Sequence, residues 1–349
     1  MNRPCMQRST ASVTAQGVLL THGVPCFTQI RWPGQPANFV AKVGLAALCR
    51  SDIKEAARQR PVRSDFGHEI VLTVLEAPLS SGLRFGDRVV LDPHIPLRRS
   101  TGFANYLFAR APAERISNAF LRVPQALDNE LAVFIEPLAC AMHAVATLER
   151  HCRRSLMGMD VCFTAAGTAS LLQSKVLHSQ GANVILFNPS VERLNYLSRK
   201  GVFDDGIRAA RGAPCANICD AAVISGVYSD ESSLRMASYM VRPHGTILLF
   251  GGTCPGKTIG NLEVDIIRRS QTLLATIIDG KVINVGGTYG ATAADFFAAM
   301  RFISENSHTL NLAQLIEKRV KLRELPGLIC GIISGTRKIF GKVIVETEG

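Results

Sequence analysis

The sequence lacks the features that mark a membrane protein or a secreted disulfide scaffold. It contains a single Trp, no internal repeat and no low-complexity linker, and its longest apolar stretch, 131–148, is interrupted by Glu136 and Pro137. That interruption argues against a membrane span. The N-terminus, MNRPCMQRSTASV, has no apolar run and does not read as a signal peptide. Because the ten cysteines are scattered, we expect a reducing, cytoplasmic setting.

Acidic residues are outnumbered, with 28 Asp and Glu against 39 Lys and Arg, which gives a net charge of +11. This excess suits nucleic acid, an anionic small molecule or simply a basic surface. No Lys/Arg tract is interleaved with aromatic residues, so we expect a small-molecule substrate and no nucleic-acid or membrane partner. The length of 349 residues favours two globular domains.

The two parts of the chain differ in the succession of their predicted strands and helices. Short strands broken by Pro and Gly, at 39–43, 70–75 and 88–91, predict an antiparallel, barrel-like region before about residue 145. From residue 160 onward, strands alternate with helices, which predicts parallel βαβ units. The predicted strands of this part lie at 161–164, 183–187, 221–224 and 246–250, and the tail at 341–345 reads as a strand again. We therefore predict an α/β fold, with a catalytic domain of residues 1–147 and 289–349 and a nucleotide-binding domain of residues 148–288.

Three separate segments carry the ligand types of a catalytic zinc. Cys49 lies in Cys-Arg-Ser-Asp, His68 and Glu69 lie in Gly-His-Glu, and Glu136 opens Glu-Pro-Leu-Ala-Cys. Thiolate, imidazole and carboxylate are the ligands that such a zinc uses, with one position left open. Each also has a plain structural explanation, since a lone Cys is usually a buried small apolar residue. The ordered combination favours the metal site.

Taken in order, these motifs resemble the zinc-containing medium-chain dehydrogenases, and they look most like the sorbitol and threonine dehydrogenase branch. Further motifs at 86–89, 102–106 and 341–343 extend the resemblance almost end to end. It implies a GroES-like antiparallel β catalytic domain and a Rossmann domain with a doubly wound parallel sheet. It also implies one catalytic zinc, a nicotinamide cofactor, and a homodimer or homotetramer built by extending the Rossmann sheet.

The resemblance also assigns roles to individual residues. Zinc would be held by Cys49, His68 and one or both of Glu69 and Glu136, with Glu69 counted among the catalytic groups as well. Ser51 would pass on the proton of the substrate hydroxyl, and Arg50 would meet the pyrophosphate of the cofactor.

Two departures from the family pattern change these expectations. The family often continues the proton relay with a histidine five positions beyond the cysteine, and this position is Lys54. The relay would therefore run through Ser51 and water, or through Lys54 itself. The stretch 92–101, where many members carry a four-cysteine lobe, contains no cysteine. We expect no structural zinc.

The segment where the family has its Gly-rich fingerprint reads Ala-Ala-Gly-Thr-Ala-Ser, with two of three expected glycines absent. We expect Gly167, Thr168 and Ala169 to approach the pyrophosphate at the start of a helix. Ser170 adds atoms where helix and strand should pack closely, so weakened cofactor binding stays open. Ser225 and Gly251, at later strand ends, are predicted neighbours of the nicotinamide.

At the end of the second strand of this part, Asn188 replaces the acidic residue that binds the ribose hydroxyls in users of NAD. Losing the acid removes the repulsion against a 2′-phosphate, and Ser190 and Arg193 are candidate ligands for that phosphate. We therefore favour NADP(H) over NAD(H). The alternative is that Asn188 is a helix N-cap with Pro189 in the first turn.

The leading interpretation is reversible, zinc-dependent oxidation of a secondary alcohol to a ketone, with a polyol, cyclitol or sugar derivative as substrate. Five basic residues between Cys49 and His68 form either a solvated face or a rim that attracts an anionic substrate. They are Arg50, Lys54, Arg58, Arg60 and Arg63. The alternatives are a zinc-free reductase of activated double bonds and a degenerate, non-enzymatic member of the family.

Overall fold

The computed structural model describes residues 15–33, 35–60, 65–203, 206–210 and 213–347. Arg63 lies outside these described residues. The first part of the chain is mostly strands, followed by a long helix. Its elements are β1 (Ala15–Thr21), β2 (Val24–Ile30), β3 (Phe39–Leu48), α1 (Arg50–Ala56), β4 (Glu69–Glu76), β5 (Arg88–Leu91), β6 (Arg98–Arg99), β7 (Tyr106–Arg110), α2 (Ala113–Ala119), β8 (Phe120–Arg122), α3 (Asn129–Ala132) and α4 (Ile135–Cys152).

The second part alternates strands and helices, and the last part returns to the first sheet. The alternating elements are β9 (Asp160–Phe163), α5 (Thr168–Ser179), β10 (Asn183–Phe187), α6 (Val191–Arg199), β11 (Ile207–Ala210), β12 (Cys219–Ile224), α7 (Glu231–Met240), β13 (Val241–Leu249), α8 (Val264–Ser270), β14 (Leu273–Ile278) and β15 (Lys281–Gly287). The closing elements are α9 (Ala293–Leu310), β16 (Ile316–Lys321), α10 (Leu325–Ile333) and β17 (Lys342–Glu346).

The first sheet joins both ends of the chain. Its main strand order is β16-β17-β3-β4-β5-β8, and β7 pairs with both β3 and β6. All of these pairs are antiparallel except β16–β17. Strand β3 alternates buried and half-buried residues along its first half and is buried along its second, so one face packs into the core throughout.

The second sheet has the order β11-β10-β9-β12-β13-β15-β14, and it is parallel except for β14. Strand order runs outward in both directions from β9 and β12, which makes a doubly wound sheet with a switch point between them. The predicted α/β architecture of an antiparallel catalytic sheet and a Rossmann sheet is confirmed. The antiparallel hairpin of β14 and β15, which ends this sheet, was not predicted.

Helix α4 lies between the two sheets. Its buried residues belong to the same apolar cluster as residues of α5, β9 and α9. The predicted domain boundary between residues 147 and 148 falls inside this helix, whereas the boundary between 288 and 289 falls in the loop after β15. The division into two domains stays a prediction. No helix among the described residues is long and apolar enough to cross a membrane.

The expected start of α6 is wrong by two residues. Ser190, not Asn188, is the N-cap, because its side chain accepts a hydrogen bond from the backbone N–H of Arg193. The Asn188 side chain is used elsewhere: its amide donates to the carbonyl of Ser190 at 3.0 Å and its oxygen accepts from the backbone N–H of Ala166 at 3.4 Å. A serine hydroxyl is as good a cap as an asparagine amide, so the sequence did not distinguish the two.

Candidate functional site

Strand register brings the metal-ligand candidates together. Cys49 follows the last residue of β3, His68 precedes the first residue of β4, and the two strands pair so that Ala47 lies opposite Glu69. His68 follows Gly67, which has a φ of +78° and on which a Cβ would lie 2.7 Å from the Phe103 ring. A glycine is therefore required there. The register thus sets Cys49, His68 and Glu69 side by side, as the sequence predicted.

These three side chains form a cluster able to hold a metal. One ligand atom from each of Cys49, His68 and Glu69 lies within 4.8 Å of the others. Asp52, buried in α1, orients the cluster: one oxygen lies 3.4 Å from Nδ1 of His68 and the other accepts from the backbone N–H of Cys49 at 2.9 Å. Burial by itself would lower the pKa of His68, but Asp52 and Cys49 raise it above its ordinary value. With Nδ1 turned to Asp52, Nε2 faces the cluster, as in metal-binding histidines generally.

Glu69 has a second contact that the sequence analysis missed. Its Oε2 accepts from the ammonium of Lys342, and both side chains are almost wholly buried, at 2% and 6% exposure. Strand β17 pairs with β3 so that Val343 lies opposite Leu48, which places Lys342 next to the end of β3. Glu69 therefore shares its charge with a lysine, which leaves its other oxygen for a metal.

A second trio of ligand types lies next to the first. Ligand atoms of His94, Glu136 and Cys140 are also within 4.8 Å of one another. Glu136 is on the first turn of α4, and Cys140, one turn later on the same face, donates a weak hydrogen bond to it at 3.6 Å. Burial raises the pKa of Glu136 to about 7, against the effect of His68 and with that of Glu69. Burial likewise raises the pKa of the Cys140 thiol.

The donors suit a zinc ion. Thiolate, imidazole and carboxylate oxygen are all present, and the imidazole is oriented by a carboxylate as zinc ligands usually are. Cys49 and His68 belong to one trio and Glu136 to the other, and Glu136 lies near enough to His68 and Glu69 to feel their charges. For a single ion between the two trios, there would be more candidate ligands than the four that a zinc site uses.

Of the two relay candidates, one lies against His68 and the other contacts the Rossmann part. The Ser51 hydroxyl lies 3.5 Å from Nε2 of His68. The ammonium of Lys54 instead donates to the carbonyl of Val227 and lies 4.1 Å above the ring of Tyr228. Both contacts are with the loop after β12, so Lys54 crosses from the catalytic part to the Rossmann part.

The predicted cofactor loop forms the turn between β9 and α5. Gly167 is the N-cap, with a φ of −83°, and Thr168 and Ala169 open the helix. A Cβ on Gly167 would meet nothing within 4 Å, so the space beside its backbone is open. Ala165 does not adopt a positive φ, which is the condition under which alanine replaces glycine here. Ser170 is fully buried and its hydroxyl donates to that of Ser225 at 2.8 Å.

The two side chains proposed to bind the 2′-phosphate, Ser190 and Arg193, already make hydrogen bonds within the protein. Arg193 donates through its two terminal nitrogens to the carbonyls of Phe340 and Ile339, at 2.5 and 3.1 Å. Burial lowers the pKa of Arg193, as does the nearby charge of Arg50, which is itself exposed. The two guanidinium groups therefore lie near each other. Ser190 is occupied as the N-cap of α6.

Gly251 lies at the end of β13, beside Ser229 and Gly226 of the neighbouring loop. Next to it, a Cβ on Gly252 would lie 2.5 Å from the ammonium of Lys54. The predicted nicotinamide neighbours and the metal cluster are thus joined through α1, and the candidate site, here called the cleft, lies between the two sheets.

The comparisons with known proteins agree with this arrangement. No protein-family model matches the chain. An uncharacterized zinc-type alcohol dehydrogenase-like protein of Haemophilus influenzae is 25% identical over 336 residues, which is 86% of this chain and 90% of that protein. A sorbitol dehydrogenase of Halalkalibacterium halodurans is 26% identical over 187 residues, 46% of this chain and 51% of its own length. The chain is therefore similar to zinc-type members of the medium-chain dehydrogenase/reductase family.

A solved structure has the same fold as this chain. A zinc-binding dehydrogenase of Sinorhizobium meliloti 1021, bound to NADP, superposes with a TM-score of 0.72 at 18% identity, covering 96% of this chain and all of that one. At that identity the likeness concerns the fold.

Three residues of this candidate site were not found from the sequence. Cys140 lies four residues after Glu136, which is the spacing of one helix face, so its position was readable once α4 was assigned. His94 and Lys342 come from neighbouring strand ends, and only the register of β4 with β5 and of β3 with β17 brings them to the cluster.

Proposed function

We propose that this protein is a zinc-dependent oxidoreductase that transfers a hydride between a nicotinamide cofactor and a secondary alcohol or ketone. The observation that carries the proposal is the cluster of Cys49, His68 and Glu69 within 4.8 Å, oriented by Asp52 and joined through Lys54 to the Rossmann part. The family supports the chemistry, since its zinc-type relatives are dehydrogenases by name.

When bound, zinc polarises a carbonyl or lowers the pKa of an alcohol, and the nicotinamide cofactor carries the hydride. Cys49, His68 and one or both of Glu69 and Glu136 would hold the ion. Asp52 fixes the ring of His68, and Lys342 holds Glu69 in place while neutralising part of its charge. The Ser51 hydroxyl, beside His68, is placed to receive the proton of a substrate hydroxyl. Because Lys54 donates to Val227, we propose that the relay runs from Ser51 to water rather than through Lys54.

For the cofactor we propose NADP(H) over NAD(H). Asn188 presents no negative charge against a 2′-phosphate, and the positive groups Arg50 and Arg193 lie near each other. Arg193 keeps N–H groups beyond those it donates to the backbone, because each terminal nitrogen carries two hydrogens. Gly167, Thr168 and Ala169 would receive the pyrophosphate in the open space at the start of α5.

For the substrate we propose a polyol, cyclitol or sugar derivative with an anionic group, and for the assembly a homodimer or homotetramer. The assembly is supported by β14 at the edge of the Rossmann sheet, where Leu274 and Ile277 are 45% and 70% exposed. An apolar edge strand is a template for pairing with a second copy. The two-domain division, a single zinc and a cytoplasmic location stay predictions.

Among the alternatives, a zinc-free reductase would not need the ligand cluster. A non-enzymatic member of the family would be supported by failure to bind either nicotinamide cofactor, since the Ala-Ala-Gly-Thr-Ala-Ser loop is the most altered of the motifs.

The proposal is tested by metal content. Protein purified without chelator should contain about one zinc per chain, and Cys49→Ala should lose it, because one thiolate ligand is removed. The matched control is Cys330→Ala, which removes an exposed cysteine of α10 and should keep the metal. Absence of zinc from wild-type protein expressed with zinc supplied would overturn the zinc-dependent mechanism. Cofactor binding would then separate the reductase from the non-enzymatic alternative.

A further inference from the structure

Two positive side chains meet in the cleft beside the metal cluster. The ammonium of Lys54 sits against Gly252 and the loop after β12, and Nε of Arg268, on α8, donates to the carbonyl of Phe250 at 3.2 Å. Phe250 and Gly252 are two residues apart along the chain, so their Cα atoms are separated by less than about 8 Å. Lys54 and Arg268 therefore line the same short stretch of the cleft.

Neither group has a carboxylate partner among the residues the structure describes. Apart from their hydrogen bonds to backbone carbonyls, both pack against aromatic rings, Lys54 at 4.1 Å from the centre of Tyr228 and Arg268 at 5.1 Å from that of Tyr289. The acid nearest to Arg268 in the chain, Asp265, is taken: it binds Arg269 at 2.8 Å, the Thr253 hydroxyl and the Gly256 backbone. Among the described residues, these two half-buried cations are thus left without a carboxylate partner.

The charge of Arg268 disfavours the charged form of Lys54. Burial, and then the charge of Arg268, lower the pKa of Lys54 to about 8, and burial lowers the pKa of Arg268. Another buried lysine near the metal cluster, Lys342, is by contrast neutralised by an ion pair with Glu69. Uncompensated buried charge is unfavourable, and an arginine fork beside a lysine is the arrangement that binds carboxylate or phosphate.

The arrangement extends toward the metal. The ring of Tyr289, on which Arg268 packs, lies 6.1 Å from the ring of His94, and His94 belongs to the trio with Glu136 and Cys140. A ligand held by Lys54 and Arg268 would therefore lie a few side-chain widths from the metal cluster. The guanidinium of Arg193, which donates to the carbonyls of Phe340 and Ile339, is assigned to the cofactor instead.

We propose that Lys54 and Arg268 form a subsite for an anionic group, a carboxylate or a phosphate ester, carried by the substrate next to the carbinol that is oxidised. This inference rests on the proposed function for the identity of the reaction, but the subsite itself is a property of the two cations. Such a subsite would select a polyol that carries a carboxylate or a phosphate over the neutral polyol.

The test is binding of two simple probes, inorganic phosphate and acetate, to zinc-loaded protein by calorimetry, with and without saturating NADPH. Wild-type protein should bind at least one of them, and which one binds more tightly identifies the anion class. Arg268→Gln and Lys54→Gln should each weaken that binding at least about tenfold, the effect of losing one charge-assisted contact. Arg269→Gln is the matched control, because this neighbouring arginine is already paired with Asp265 and should leave the affinity as it is.

The outcomes distinguish a substrate subsite from a site for the phosphates of the cofactor. If Arg268→Gln lowers the affinity for NADPH and not that for the probe anion, the two cations serve the phosphates of the cofactor and the proposal is wrong. It is equally overturned if wild-type protein binds neither anion, or if Arg269→Gln has the same effect as Arg268→Gln. Loss of zinc in Cys49→Ala addresses the proposed function separately, so failure of one does not imply failure of the other.

Discussion

The metal cluster and the cofactor loop have diverged to different degrees. The cluster keeps every ligand type that a catalytic zinc uses, and its buried charges are matched, Glu69 by Lys342 and His68 by Asp52. The loop lacks two of the three glycines expected from the resemblance, yet α5 begins directly after it, with Gly167 as N-cap. The cluster thus carries the side-chain types of a metal site, whereas the loop forms the turn that opens the helix with other residues.

The contrast reflects what each residue type supplies. A thiolate or imidazole ligand has no substitute of the same chemistry, so a change there removes the function. A glycine supplies freedom and space, and at a negative φ other small residues adopt the same backbone. At Ser170 the added hydroxyl is buried but satisfied by Ser225, which offsets the desolvation of both. We therefore expect replacements in the metal cluster to have larger effects than replacements in the loop.

The largest effect is expected at the buried ion pair. Lys342→Met would leave Glu69 charged, buried and without its partner, and removing one member of such a pair typically lowers the free energy of unfolding by about 3–5 kcal/mol. Urea unfolding of metal-free protein measures it. The double variant Lys342→Met/Glu69→Gln should recover much of the loss, because the unpaired charge is gone. A loss below about 1 kcal/mol in the single variant would mean that Glu69 takes up a proton or finds another partner.

Much of the fold followed from the sequence because it rests on local pattern. Strands β5 and β10 have the predicted bounds, since each is a short apolar run between turn residues. Strand β13 begins five residues before the prediction, at Val241, because Val241 already pairs with Cys219. The register between β12 and β13 then shifts before Thr246, and His244 in this interval has a φ of +64°. The hairpin of β14 and β15 was missed because its exposed apolar residues do not alternate in the usual way.

The site residues that lie in family motifs could be predicted from the sequence. Those brought to the site by strand pairing or helix packing could not. Cys49, His68 and Glu69 were found, whereas Lys342 and Arg268 were not, since their positions depend on the pairing of β17 with β3 and on the packing of α8 against β15. The place of Lys54 was also beyond sequence reasoning, because its partner, Val227, is 173 residues away.

A smaller effect is expected where α4, which carries Glu136 and Cys140, is tied to the Rossmann part. Nδ1 of His143 lies 2.9 Å from Asp295, at the start of α9, and its Nε2 lies 2.7 Å from the side-chain oxygen of Gln271, which follows α8. The hydrogen bond to Asp295 raises the pKa of His143 in spite of its burial. The charged imidazole therefore stabilises the fold below the unfolded-state pKa of about 6.5, and this contribution is lost as pH rises through the higher folded-state pKa.

His143→Gln, in metal-free protein, should lower the free energy of unfolding by roughly 1.5–3 kcal/mol at pH 6, the range for hydrogen bonds to charged groups. The difference from wild type should shrink as pH is raised, which urea unfolding at several pH values between 6 and 9 would detect. His308→Gln, at an exposed position late in α9, is the control and should change stability by less than about 0.5 kcal/mol. A difference that is constant over this pH range would show that His143 is neutral in the folded protein.

The smallest effect on stability, and the sharpest view of the loop, is expected from Gly167→Ala. Alanine fits the φ of −83° and its Cβ meets nothing within 4 Å, so the free energy of unfolding should stay within about 0.5 kcal/mol of wild type. The same Cβ would occupy the space we assign to the cofactor pyrophosphate, so the dissociation constant for NADPH should rise roughly tenfold or more, equivalent to about 1.4 kcal/mol. Fluorescence titration with NADPH and thermal unfolding give the two readouts. Unchanged affinity with unchanged stability would mean that the cofactor does not approach this backbone, and that the loop has kept its path without its function.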